Sequence, residues 1–238
     1  MPECSVNFND RPAMSLESPV NPIPPVIMVL CLIAVAVELV LSAGASGIVG
    51  GAGAIGWRLN ALQDYAFAPA VLDLMLTRGD FGFDLVKRFV TYPFVQGSFT
   101  NALFGAALLL ALGKFVGDVF GTLATLAVFV LTAIGGAVVY GLLASVNAPL
   151  FGLFPPVYGL IGAYTYVIWL QLGRTGQNQL NAFRLIGFLL GLQLVFGLLF
   201  GAGQTWIAEI AAFVIGFGAS TVLAPGGWAA LRARLRAR

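Results

Sequence analysis

Any chemistry in this chain has to be built without imidazole, because the sequence contains no histidine. That excludes Ser-His and Cys-His nucleophilic catalysis, His-ligated zinc and axial His ligation of haem. Two carboxylates, Glu38 and Glu209, fall inside long apolar runs. Charge is costly in hydrocarbon, so an acidic residue there is a functional candidate by default. A buried carboxyl has a raised pKa and could serve as a general base if a nucleophile lay within reach. Ser98 and Ser220 are the available hydroxyls, but nothing in their spacing sets either opposite Glu209. Two isolated carboxylates do not make a proton relay. Cys4 and Cys31 lie in a polar tail and an apolar run, and both read as free thiols. No metal cluster or cofactor motif is present, and Gly50-Gly51-Ala52-Gly53 lacks a P-loop lysine, so it reads as a flexible linker. The net charge of +2 gives no case for nucleic-acid binding.

The elements that must position these residues are membrane spans. Hydrophobic residues make up 59% of the 238 and charged residues only 9%, whereas a soluble domain carries about 25% charged residues. At about 20 apolar residues per crossing, the chain suits roughly six spans. They are predicted over about Pro25–Ala43, Phe99–Leu112, Thr122–Leu143, Pro156–Leu172, Phe183–Phe200 and Trp206–Leu223. The connections are then Gly113–Gly121, Ala144–Pro155, Gly173–Ala182 and Gly201–Thr205. The first run also admits a cleaved signal peptide, but its flank is long and carries only Arg11, so it reads as a retained helix.

Residues 1–22 read as a disordered cytoplasmic tail and 225–238 as a basic cytoplasmic tail, on either side of a membrane domain over 23–224. From Trp57 to Arg88, charged residues alternate with Leu59, Leu62, Tyr65, Phe67, Val71, Leu72, Leu74, Met75 and Leu76, a mixture suited to helices lying in the interface. Glu38 sits near the outer end of its span, within reach of loop arginines such as Arg58. The positive-inside rule puts both termini in the cytoplasm, with Arg232, Arg234, Arg236 and Arg238 on the inner face. The segment Trp228–Arg238 is a topology anchor with some capacity for anionic lipid. Glycines four apart, Gly113/Gly117/Gly121, Gly187/Gly191 and Gly197/Gly201, are expected to let helices approach closely.

Three stretches, in order along this framework, carry a family pattern. The first runs from Arg88 through Thr91-Tyr92, Phe94, Gln96, Asn101 and Gly105 to Gly113, Asp118 and Gly121. The second is Gly152 to Ala163, with Tyr158-Gly159 and Gly162. The third is Ala208-Glu209 to Gly216, with Phe213. Together with Trp57-Arg58 they resemble the rhomboid family of intramembrane serine proteases. The resemblance implies an all-α membrane protein, a six-helix rhomboid-like bundle with a long interfacial first loop. It also implies where the chemistry would be: a serine at the start of span four, a histidine on span six, and His and Asn on span two for the oxyanion. In this chain the serine's position is Phe154 and the span-six histidine's is Glu209, and the span-two positions matching the family's His, His and Asn are Gln96, Asn101 and Gly105.

A serine needs an adjacent base to become nucleophilic. Phe154 has no nucleophilic atom, Gly105 has no side-chain donor, and Pro155 and Pro156 lack the N–H groups an oxyanion hole could use. No catalytic residue, cofactor or metal is therefore expected, and Glu209 is expected to occupy the residual water-accessible cavity, protonated or hydrogen-bonded to Asn101 or Gln96. The chain reads as a pseudoprotease that binds transmembrane helices of partner proteins as adaptor, chaperone or accessory subunit. It would act in the lipid bilayer, as an integral protein of a bacterial inner membrane. The alternatives are an active intramembrane protease with a non-standard site, or a structural subunit of a membrane complex.

Overall fold

The computed structural model describes residues 23–191 and 203–224. Both predicted tails, Cys4, the Gly197/Gly201 pair and the second half of the span predicted to end at Phe200 lie outside these residues. Ten α-helices are described: α1 (Pro25–Ala45), α2 (Trp57–Tyr65), α3 (Pro69–Arg78), α4 (Phe83–Val86), α5 (Arg88–Thr91), α6 (Phe99–Phe120), α7 (Thr122–Leu143), α8 (Phe154–Arg174), α9 (184–191) and α10 (Trp206–Leu223). There is no strand among the described residues. One isolated antiparallel bridge joins Phe67 to Leu150 and ties the first loop to the α7–α8 connection.

Local sequence explains the helix ends. Proline opens α1, α3 and α8 in the first turn, where a missing N–H costs nothing. Ser98 caps α6 by accepting the Asn101 N–H. Gly121, at φ +81, alone separates α6 from α7, a backbone state that side-chain-bearing residues rarely adopt.

Among the described residues, four helices are long and apolar enough to cross a membrane: α1, α6, α7 and α10. Helix α8 is as long as α1, yet carries Tyr158, Tyr164, Tyr166 and Gln171. Its position accounts for this, since most of its residues are buried against protein, and a helix that meets little lipid need not be uniformly apolar. It packs most extensively on α10, and also on α7 and α6, while α1 lies against α6.

The helices of the first loop have one packed side and one exposed side. Phe67, Val71, Leu72, Met75 and Phe89 pack on Ala133, Ala137 and Tyr140 of α7, whereas Leu59, Leu76, Phe81 and Phe83 face outward. Two sequence expectations need correction. The span starting at Phe99 does not end at Leu112. Gly113, Lys114, Gly117 and Asp118 look like a polar, glycine-rich connection, but the helix continues to Phe120 because Gly113 packs on Ile27 and Gly117 on Pro24 of the α1 segment. Conversely, Gly187 and Gly191 meet nothing among the described residues where a side chain would stand, so they mediate no helix contact there.

Candidate functional site

The α8–α10 crossing sets the depth of the site. A Cβ at Gly216 would strike the Gly159 carbonyl, one at Gly162 the Phe213 carbonyl, and one at Gly159 the Thr132 side chain of α7. Helices α8 and α10 therefore meet backbone to backbone, with the Thr132 side chain of α7 seated on Gly159, and the first turns of α8 and α10 are held beside each other.

At the head of α8, Phe154 is half-buried and packs against the main core, followed by the buried Pro155 and Pro156. Leu153 is fully buried and lies on Gly105 of α6, where a Cβ would sit 3.1 Å from its own Cβ. Phe151 covers Gly97 in the same way. Apolar side chains thus occupy the space between α6 and α8.

Glu209 lies in the first turn of α10, where the helix dipole favours a negative charge, and is almost fully buried. Its surroundings are phenolic: the carboxylate lies within electrostatic reach of Tyr92 and Tyr158. Tyr92 is fully buried in the turn before α6 and donates its hydroxyl to the Ala133 carbonyl at 3.0 Å. Burial, and secondarily the nearby Glu209, push the Tyr92 phenol well above the ordinary tyrosine range.

The amides expected beside Glu209 are engaged differently. Gln96 is 1% exposed; its Nε2 donates to the Pro93 carbonyl at 2.8 Å, and its Oε1 has no hydrogen-bond partner. Asn101 is exposed in the first turn of α6, one turn before the buried Gly105. Of the five positions singled out in the sequence, Phe154, Gly105, Gln96 and Glu209 thus line the buried region around the heads of α8 and α10, and Asn101 does not.

Both candidate serines make hydrogen bonds of their own. Ser98 is exposed and committed as the α6 cap. Ser220 donates to the Gly216 carbonyl, about 16 Å along α10 from Glu209.

The strongest polar cluster is on the α1 side. Arg58 donates to both carboxylate oxygens of Glu38, at 2.7 and 3.0 Å, to Ser42 Oγ at 3.3 Å and to the Gln96 carbonyl at 2.6 Å. Ser42 Oγ also donates to Glu38 at 2.6 Å. One planar guanidinium thereby joins span one, the first loop and the backbone entering α6. The Glu38–Arg58 pairing was anticipated in the sequence, but the reach to Gln96 was not.

Sequence reasoning also missed Gln204. Its Oε1 accepts the N–H groups of Ser145 and Val146 and its Nε2 donates to Ser145 Oγ, which fastens the segment before α10 to the end of α7. Only the long apolar spans flanking a lone glutamine hinted at it. Arg88, the first residue of the family pattern, donates to the Ala66 carbonyl and holds the first loop on α5.

No curated protein matches the chain in sequence. Residues 84–226, more than half of the chain, do match a family model described as Rhomboid domain. The match takes in α6 through α10 with their glycine crossing and begins beside Arg88, so this membrane protein belongs to the rhomboid family.

Proposed function

We propose that the chain is a rhomboid-family pseudoprotease that binds transmembrane segments of partner proteins instead of cutting them. The carrying observation is the head of α8, where the half-buried Phe154 stands in the nucleophile's place and two buried prolines follow it. Removing one oxyanion donor costs about 10²–10³ in rate; here the serine, the span-six histidine and the span-two asparagine positions are all substituted. Glu209 has phenols and not a serine as its neighbours, and Gly105 is covered by Leu153. What persists is a helix-packing scaffold, and binding is the activity a scaffold can retain without chemistry.

In this reading the bundle has six spans, with α8 and the span predicted from the sequence over 183–200 joining the four long apolar ones. Both termini are cytoplasmic in a bacterial inner membrane, and a transmembrane client or a larger membrane complex is the partner.

Reconstitution in liposomes with a panel of helical reporters tests the catalytic half of the proposal. Wild type is expected to cleave none, and Phe154→Ser with Glu209→His is expected to stay inactive because Pro155 and Pro156 remain. Cleavage by wild type that is abolished by Glu209→Ala would overturn the reading. Photocrosslinking from Phe154 or Phe188 tests the binding half: a captured helical membrane protein is expected, and lipid adducts alone would count against it.

A further inference from the structure

At the end of the bundle opposite the heads of α8 and α10, the connection from α8 to α9 is bounded by two arginines, Arg174 in the last turn of α8 and Arg184 at the start of α9. Both are exposed, and neither makes a hydrogen bond or ion pair among the described residues. Counter-charge is scarce. The sequence holds no Asp or Glu between Asp118 and Glu209, and Glu209 lies at the other end, in the first turn of α10. The connection is nevertheless held in shape. Asn178 Oδ1 accepts the Leu180 N–H at 3.0 Å, Gln179 Nε2 donates to the Trp169 carbonyl at 3.1 Å, and a Cβ at Gly173 would strike that same amide. Phe183 sets its ring against Phe213 and Phe217 of α10. Leu180, fixed between these fastenings, is 73% exposed.

The helices fix the depth of this connection. Helices α6 and α8 start beside each other, where Leu153 covers Gly105, and they are still in contact where Phe115 meets Tyr164, with ring centroids 4.7 Å apart. Beyond that contact α6 runs about 7.5 Å to Phe120 and α8 about 15 Å to Arg174, at about 1.5 Å per residue. Helix α6 is long and apolar enough to cross the hydrocarbon. Arg174 therefore stands about 7.5 Å past its end, and a headgroup layer is about 5–8 Å thick. The anions at that level are lipid phosphates, which a guanidinium meets with parallel N–H donors. Two uncompensated positive charges select a lipid of net negative charge. Leu180 gains by reaching the acyl chains beneath. An acidic protein segment would have to displace lipid from Leu180 to reach both arginines, whereas a phospholipid meets all three residues as it lies.

We propose that the α8–α9 connection is a binding site for an anionic phospholipid, its headgroup taken by Arg174 and Arg184 and its acyl chains met by Leu180. The site is independent of the partner-binding reading above.

The full chain, purified in mild detergent, can be offered equal amounts of phosphatidylglycerol and phosphatidylcholine and weighed by native mass spectrometry. For the first lipid bound, wild type is expected to prefer phosphatidylglycerol by about ten-fold or more. Arg174→Gln combined with Arg184→Gln should bring that preference to within about two-fold. Leu180→Glu, which puts a like charge beside the headgroup and removes the apolar tip, should lower it as well. Arg232→Gln combined with Arg234→Gln makes the same change of charge in the basic C-terminal segment and should leave the preference in place. Folding of each variant is checked by its thermal transition, and two independent disabling changes guard against one that fails to fold. The proposal is overturned by a wild type without preference, or by a preference that survives in the Arg174/Arg184 pair or in Leu180→Glu. Loss of the preference with the Arg232/Arg234 pair, displacement of the lipid by inorganic phosphate, or a co-purifying polypeptide released by the Arg174/Arg184 changes would overturn it equally.

Discussion

The crossing of α8 with α10 and the heads of the same two helices lie only a turn or two apart, yet they are built to opposite rules. At the crossing, Gly159, Gly162 and Gly216 agree with the family pattern, and each is required by a backbone or side chain that leaves no room for a Cβ. At the heads, Phe154 and Glu209 depart from the pattern, and side chains there pack or pair without disturbing the crossing. The difference teaches that geometry and chemistry are separable in this fold. Backbone contacts set the positions of the helices, and the side chains at their first turns can then be exchanged for fillers.

The most severe way to break that comparison is Gly216→Val. A side chain there meets the Gly159 carbonyl, which cannot move without shifting α8, so a loss of more than about 4 kcal/mol is expected. It is to be read as a missing or strongly lowered thermal transition in detergent. A substitution of similar size at Phe154 should be tolerated far better, and equal damage at both positions would erase the distinction.

Next in size is Arg58→Ala, which leaves Glu38 buried with its main partner gone. Breaking such a pair costs about 3 kcal/mol or more, and chemical denaturation should show it. Arg58→Lys should recover only part, because one ammonium cannot replace the bidentate contact and the Gln96 carbonyl contact together.

The smallest effect is Tyr92→Phe, which removes the hydroxyl bond to Ala133 at a cost of about 1 kcal/mol. Its pH dependence sharpens the assignment. The folded Tyr92 phenol holds its proton more tightly than the unfolded one, so its contribution to stability is complete below about pH 10 and declines as pH rises further. The gap between wild type and Tyr92→Phe should therefore narrow in alkali, and a constant gap would mean that Tyr92 is not buried as described.

Much of this was legible in the sequence where a single physical demand dominates. Glu38 in an apolar run needs a cation, and Arg58 is the first arginine that follows it. Phe67, Val71, Leu72 and Met75 among charged neighbours need a partner surface, and α7 supplies it. Where two demands compete, the sequence misleads. Gly113 and Gly117 look like helix breakers, but they are seats for Ile27 and Pro24, a fact that depends on a helix some ninety residues earlier. Asn101 is placed in the site by its match to the family pattern, but in the first turn of α6 it stays exposed. Gln204 gave little sign of its role, because its partners are backbone N–H groups exposed only once α7 has ended.

The Glu38–Arg58 contact also bears on how the protein is made. Its partners are 20 residues apart, whereas the spans that enclose the site are spread over the rest of the chain. As synthesis proceeds from the N-terminus, the carboxylate of the first span meets its counter-charge before α6 has been translated. The first span and first loop can close on each other as a neutral unit, already oriented, against which every later helix assembles.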